Sequence, residues 1–224
     1  MAKKRKKAKR AKVLIVDDHP AVREALALRV NRQNDLEVCG EAEDTGDAMR
    51  IAVETQPDVA VVDISLKTGN GLDLIKRLKA RHAALRMLVW SMHSESLYAE
   101  RTLRAGALGY ITKEQATDQI VVAIRQVLAG RVFLSPAMTE KILGRVVGEG
   151  GKIDERQSED RLSDREIEVF QAIGRGKNTT QIAADMHVSP KTVETYRVRI
   201  KEKLGCATLH ELIQRAVQWV DRER

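Results

Sequence analysis

Short apolar runs alternate with amphipathic stretches from Lys12 to Leu128. The first run, Val13-Leu14-Ile15-Val16, stops abruptly at Asp17-Asp18-His19-Pro20. A run this short and this rich in β-branched residues predicts a strand buried on both faces. Pro20 suits the first turn of a helix, and Val22, Leu26 and Val30 follow at helical spacing. The unit then recurs. Residues 37–42 predict a strand, and 44–55 a helix with Ala48, Ile51 and Ala52 on one face. The run 59–62 ends at Asp63, and a loop with Gly69 and Gly71 leads to a helix over 72–78. The run 87–90 ends at Ser91, before a helix over 97–103. The run 107–111 ends at Thr112-Lys113, before a helix over 120–128 that Gly130 caps. Five strands alternating with five helices predict an α/β fold, a doubly wound five-stranded parallel sheet with right-handed crossovers.

After residue 133 the pattern changes. Ser135-Pro136 can start a helix, with Met138, Ile142 and Val146 spaced by four. Gly144, Gly148, Gly150 and Gly151 and a charged run to Asp160 then read as a linker. Residues 162–221 contain no convincing strand. Ser163 with Glu166 makes a capping box ahead of Ile167, Phe170 and Ile173. A short helix over 179–186 follows. Ser189-Pro190 then opens a longer helix that runs to Leu204 and ends at Gly205. The last helix, over 207–220, carries Leu209, Leu212, Ile213, Ala216 and Val220 on one face. The expected organisation is a basic tail (1–11), an α/β domain (12–133), a linker with a helical segment (134–160) and a smaller all-α domain (161–224).

Composition sharpens this picture in two ways. The net charge is +7, but residues 1–12 alone hold eight Lys and Arg and no acid. The rest of the chain sums to −1, so global charge alone does not establish nucleic-acid binding. Cys39 and Cys206 are the only cysteines and fall in different expected domains, which excludes a disulfide framework or a zinc spacing and fits a reducing cytoplasm. No stretch of 18 uncharged apolar residues occurs, so no membrane partner is expected.

The candidate chemistry lies just beyond strand ends, where Asp17, Asp18, Asp63, Ser91 and Lys113 all fall. In a sheet of order 2-1-3-4-5, the first and third strands meet at the topological switch point, and functional groups gather at the carboxyl edge. Asp17 and Asp18 would then face Asp63. Crowded carboxylates call for a cation, and oxygen ligands without His or Cys suit Mg²⁺. A carboxylate can attack a phosphoryl group, and metal, Lys113 and Ser91 can stabilise the transferring charge. His19 and His93 read as structural residues, and Tyr110 is also compatible with ordinary core packing.

These residues carry a resemblance. Val13–Asp18, Val59–Ser65, Leu88–Ser91 and Gly109-Tyr110-Ile111-Thr112-Lys113 resemble the receiver domain of bacterial response regulators, a flavodoxin-like fold. The resemblance covers about residues 12–131. It implies that Asp63 accepts a phosphoryl group from a sensor histidine kinase. It implies Mg²⁺ held by Asp18, Asp63 and the backbone carbonyl of Ser65, with Asp17 assisting. Lys113 would pair with the phosphate. Ser91 and Tyr110 would form a switch, the hydroxyl turning to the phosphate and the ring turning inward. One departure is Lys67, where many receivers have proline; its ammonium either reaches the phosphate or remains a solvated loop charge.

In the C-terminal part, a short helix, a tight connection through His187-Val188-Ser189 and a longer basic helix match a helix-turn-helix. The strings Leu162-Ser163-Asp164-Arg165-Glu166, Gly176-Lys177-Asn178, Gln181-Ile182-Ala183, Ser189-Pro190-Lys191-Thr192-Val193 and Lys203-Leu204-Gly205 resemble a LuxR-type DNA-binding domain over about 160–222. Together the two parts resemble the NarL/FixJ class of response regulator. That implies recognition positions at Glu194, Thr195 and Val198, and phosphate contacts from Lys191, Thr192, Arg197 and Arg199. Glu194 is open to two assignments, an acceptor for a cytosine amino group or a solvent-facing ion pair. Val193 and Ile200 are expected in the core, and the last helix is a candidate homodimer surface. The expected function is a DNA-binding response regulator, not an enzyme, acting on double-stranded DNA in the cytoplasm. A Mg²⁺-dependent phosphatase would share the pocket, but such enzymes carry a second acid two residues after the nucleophile, where this chain has Ser65. A small-molecule-sensing LuxR-type regulator would leave the acidic motif unexplained. The basic tail is expected to add salt-dependent, sequence-independent DNA affinity.

Overall fold

A computed structural model describes residues 10–115, 119–147, 159 and 161–222. The chain falls into two compact units, divided between Val146 and Val147. Residues 1–9 of the tail expected over 1–11, and 148–158 and 160 of the linker expected over 134–160, lie outside the described residues.

The first unit alternates strand and helix: β1 (Ala11–Val16), α1 (Pro20–Asn31), β2 (Leu36–Ala42), α2 (Thr45–Thr55), β3 (Val59–Val62), α3 (Gly71–Arg81), β4 (Arg86–Ser91), α4 (Glu95–Ala105), β5 (Gly109–Thr112) and α5 (Gln119–Leu128). The five strands form one parallel sheet in the order β2-β1-β3-β4-β5. The continuous apolar strands are explained by burial on both faces. Val13, Ile15, Val59, Val61, Leu88 and Trp90 pack with α1 and α5 residues such as Leu26, Val30, Ile120, Ile124 and Val127. Leu14, Val62 and Val89 are equally buried, as are Leu72, Ile75 and Leu78 of α3 and Tyr98 of α4. Burial of this many large aliphatic side chains, each contributing about 1.5–3 kcal/mol, is what offsets the chain's ordering entropy.

Element ends depart from the sequence pattern where polar groups decide them. The backbone N–H of Ala11 already bonds the Asp35 carbonyl, so β1 begins inside the segment read as tail. The helix α3 extends to Arg81 because its last turn carries Lys79 and Arg81, which favour a C-terminus while being invisible to an apolar periodicity. The helical segment expected from Ser135-Pro136 is found as α6 (Pro136–Val147), with Ser135 Oγ accepting from the Met138 N–H.

The second unit holds α7 (Asp164–Gly174), α8 (Thr179–Asp185), α9 (Pro190–Leu204) and α10 (Leu209–Arg222). Ser163, Asn178 and Ser189 cap the first three through their side chains, the first two as full capping boxes. The Thr208 hydroxyl accepts from the Glu211 N–H, and the Glu211 carboxylate accepts from the Ala207 N–H, which starts α10 at Leu209 rather than 207. Phe170, Ile182, Val193, Ile200, Leu212 and Trp219 fill the core. Gly174 is required where α7 meets α10, because a Cβ there would lie 2.3 Å from the Ala216 carbonyl oxygen.

Candidate functional site

Strand register builds the acidic pocket. The strands β1 and β3 pair Val16 with Val62, so the next residues, Asp17 and Asp63, emerge side by side. The Asp63 N–H donates to the Val16 carbonyl at 2.8 Å. Both carboxylates are buried, at 2% and 3% exposure. Lys113 follows β5, and its Nζ lies 2.5 Å from an Oδ2 of each. The Trp90 ring, 5.7 Å from that ammonium, covers it on another side. The Ser91 hydroxyl donates to Asp63 Oδ1 at 2.6 Å. Thus one Asp63 oxygen faces a hydroxyl and the other an ammonium, the two groups expected to stabilise a transferred phosphoryl group. Tyr110 is 1% exposed and its hydroxyl donates to the His93 carbonyl at 2.8 Å. Ser91 therefore points at Asp63 while the Tyr110 ring lies inside.

The electrostatics follow from this crowding. Burial, with the Asp63 charge adding to it, holds the Asp17 carboxyl above its usual range despite the bond to Lys113. Burial works against the Lys113 ammonium, but Asp63 and Asp17 outweigh it and push its pKa up, so it stays charged. Burial and then the Asp63 charge push the Tyr110 hydroxyl well up, so it stays protonated. Single ligand atoms of Asp17, Asp18, His19 and Asp63 all lie within 4.8 Å of one another. Their carboxylate oxygens form a hard donor set that fits a divalent cation such as Mg²⁺. The His19 Nδ1 lies 2.6 Å from Asp18 Oδ1.

The loop after β3 shapes the pocket's rim. A Cβ on Gly71 would sit 2.0 Å from the Asp63 carbonyl oxygen, so only glycine lets α3 start this close. Asn70, 1% exposed, caps α3 by accepting from the Leu72 N–H at 2.7 Å. Ser65 Oγ pairs with His93 Nε2 at 2.9 Å, and the His93 and Tyr98 rings are 4.8 Å apart. Sequence reasoning gave His93 no place at the rim, and no local pattern links residues 28 positions apart. The Lys67 ammonium is paired with Glu43 at 2.8 Å, which places it in an ion pair with the loop after β2.

In the second unit, Lys191, Glu194, Thr195 and Val198 occur at the i, i+3, i+4, i+7 spacing of one helix face and are all exposed. Arg199 is exposed as well, while Val193 and Ile200 are buried as expected. Two of the named groups are engaged internally. The Thr192 and Ser189 hydroxyls lie 2.8 Å apart at the start of α9. The Arg197 side chain is 13% exposed and turns inward to Thr179 and Glu194. Flanking the α10 core contact, Leu209, Ile213 and Val217 stay exposed, at 44%, 38% and 39%.

Comparison with known proteins follows the same division. Residues 13–125 match the response regulator receiver domain, and residues 160–216 match the LuxR family of bacterial regulatory proteins. The virulence-factor transcription regulator BvgA of Bordetella pertussis is 35% identical over 205 residues, 92% of this chain and 96% of its own. A solved two-component response regulator of the LuxR family from an Aurantimonas species is 36% identical, with a TM-score of 0.57, over 62% of this chain and 99% of its own. RcsB of Salmonella enterica, solved on promoter DNA with the phosphomimetic BeF3-, shares the fold at 24% identity, with a TM-score of 0.61 over 92% of this chain and 98% of its own.

Proposed function

The chain belongs to the response regulators that join a receiver domain to a LuxR-type DNA-binding domain, and from that premise we propose that a sensor histidine kinase phosphorylates Asp63 and so controls promoter binding. The observation that carries this is the buried Asp63 carboxylate held between the Lys113 ammonium and the Ser91 hydroxyl. An Asp63 oxygen attacks phosphorus, and the bond from phosphorus to the donor's imidazole nitrogen breaks, leaving an acyl phosphate. Lys113 then pairs with a phosphoryl oxygen in place of the carboxylate, and Ser91 turns its hydroxyl to another. Asp17, Asp18, Asp63 and the backbone carbonyl of Ser65 are assigned as donors to Mg²⁺, which when bound neutralises charge on the phosphoryl oxygens. Ser91 and Tyr110 couple this local change to a two-state surface of the receiver.

The receiver is assigned to 12–133 and the DNA-binding domain to 161–224, joined through 134–160. Lys191, Thr195, Val198 and Arg199 are assigned to DNA, with the N-terminal half of α9 in the major groove. A cytoplasmic location follows from a DNA ligand. The exposed Leu209, Ile213 and Val217, with the Leu212, Ala216 and Trp219 side of the same helix already buried, support a homodimer through α10. Incubation with acetyl phosphate and Mg²⁺, followed by intact mass, sedimentation and promoter-binding measurements, tests the whole reading. The expected result is a gain of one phosphoryl group, absent in Asp63→Ala, with tighter DNA binding and a dimer. The same gain in Asp63→Ala overturns it.

A further inference from the structure

We propose that Arg197 is a positioning residue, which locks the Glu194 carboxylate as a fixed acceptor that selects cytosine at one position of each DNA half-site. The proposal rests on the DNA-binding role assigned to α9. Three side chains from two helices close a ring. The Thr179 hydroxyl, at the start of α8, donates to Glu194 Oε1 at 2.8 Å. Arg197 Nη1 donates both to the Thr179 hydroxyl, at 2.6 Å, and to Glu194 Oε1, at 2.8 Å. Within the ring the capacities balance, with one hydroxyl proton given and two Nη1 protons placed, while the Nε–H of Arg197 is buried with no hydrogen-bond partner among the described residues. The ring spans the two helices of the helix-turn-helix, so it fixes their relation as well as the carboxylate.

Burial separates the roles within the ring. Arg197 is 13% exposed and its charge is spent on Glu194, so it has little reach to a phosphate. Glu194 is 55% exposed, and both bonds go to Oε1, leaving Oε2 with no hydrogen-bond partner among the described residues. The bonds from Thr179 and Arg197 hold the Glu194 carboxyl below its usual range, so it stays an acceptor at neutral pH. Glu194 shares its exposed face with Lys191, Thr195 and Val198. In the major groove a carboxylate can only accept. It is satisfied by the cytosine amino group and repelled by the O6 and N7 of guanine and the O4 of thymine. Adenine offers an amino group, but its N7 acceptor lies beside it and repels the approaching carboxylate. A freely rotating Glu side chain would lose rotamer entropy on each contact; anchoring at Oε1 removes part of that cost.

The test is selection from a randomised double-stranded DNA library on the full chain, with sequencing of the bound pool and salt titration of the enriched site. The wild type is expected to fix cytosine at one column per half-site. Glu194→Gln, whose carbonyl oxygen keeps the anchored place and turns an N–H donor to the groove, should move that column away from cytosine toward a base that offers an acceptor, guanine or thymine, and leave the other columns unchanged. Arg197→Met and, separately, Thr179→Val should blur the same column on the order of tenfold, without changing the slope of log affinity against log salt. An unchanged column in Glu194→Gln overturns the proposal. So does a salt slope that falls by about one in Arg197→Met with the column intact, because that marks a side chain bound to a phosphate. No enrichment by the wild type would remove the DNA-binding reading itself, and this proposal with it.

Discussion

Glu166 is where a single side chain does most for the second unit. It is 2% exposed on α7, and its Oε2 accepts from the Ser163 N–H at 2.7 Å and from Lys203 of α9 at 2.6 Å. Burial alone would raise its pKa, but Lys203 and Ser163 outweigh burial and hold it below the ordinary value of 4.5. A depressed folded pKa means the stabilisation is complete above the unfolded value and is lost as pH falls through the folded one. Lys203 is 38% exposed, so solvent screens the pair and its worth is set at about 1–2 kcal/mol. Glu166→Gln is expected to lower the urea midpoint of this unit at pH 7 and to cost clearly less at pH 3. An equal loss at both pH values would contradict the assignment.

At the scale of elements, the loop between β3 and α3 shows how tightly the pocket depends on backbone. A Cβ at position 71 would meet the carbonyl oxygen of Asp63 at 2.0 Å and the Cα of Ile64 at 2.8 Å, both backbone atoms that cannot rotate away. Gly71→Ala should therefore push α3 off the strand end, costing about 1–3 kcal/mol of receiver stability. It should also cut the yield of Asp63 phosphorylation by acetyl phosphate; unchanged unfolding and unchanged mass gain together would refute this. The inner strands β1, β3 and β4 were legible because each is a short apolar run buried on both faces, and Asp17, Asp18 and Asp63 because they follow such runs directly; the edge strand β2 is half-buried and carries only a weak apolar signal. Adjacent β1 and β3, which bring Asp17 to Asp63, needed only the expected strand order. What sequence could not show is the meeting of residues far apart in the chain. His93 joins Ser65 across 28 positions, and Arg197 turns to Thr179 across 18, in both cases through tertiary packing with no periodic signature. Arg197 read as a phosphate ligand because basic residues on a recognition helix usually face DNA, and only the burial of its guanidinium places it inside.

For the whole molecule, charge is distributed so that affinity and recognition can be separated. The net charge of +7 comes entirely from residues 1–12, and the remainder sums to −1. Arg10 already pairs with Glu37 at 2.7 Å, and Lys12 lies in β1 with its Nζ on the Thr55 carbonyl at 2.8 Å, so both belong to the folded receiver. Six basic residues, Lys3, Lys4, Arg5, Lys6, Lys7 and Lys9, precede them. Within α9, by contrast, Glu194 and Glu202 offset the basic residues and Arg197 is consumed internally. A reader of such modest charge gains discrimination from base edges, while a cluster of six cations gains affinity from any phosphate backbone by releasing counterions. Deleting residues 2–9 is therefore expected to weaken binding to specific and nonspecific duplexes by a similar factor. The magnitude of the slope of log affinity against log salt should fall by up to about 5, at about 0.9 for each phosphate that is no longer neutralised. Because Arg10 and the whole of β1 are retained, the receiver's unfolding midpoint should not move. A salt slope identical to the full chain's would show that these cations do not touch DNA, and would leave the affinity to α9 and its neighbours alone.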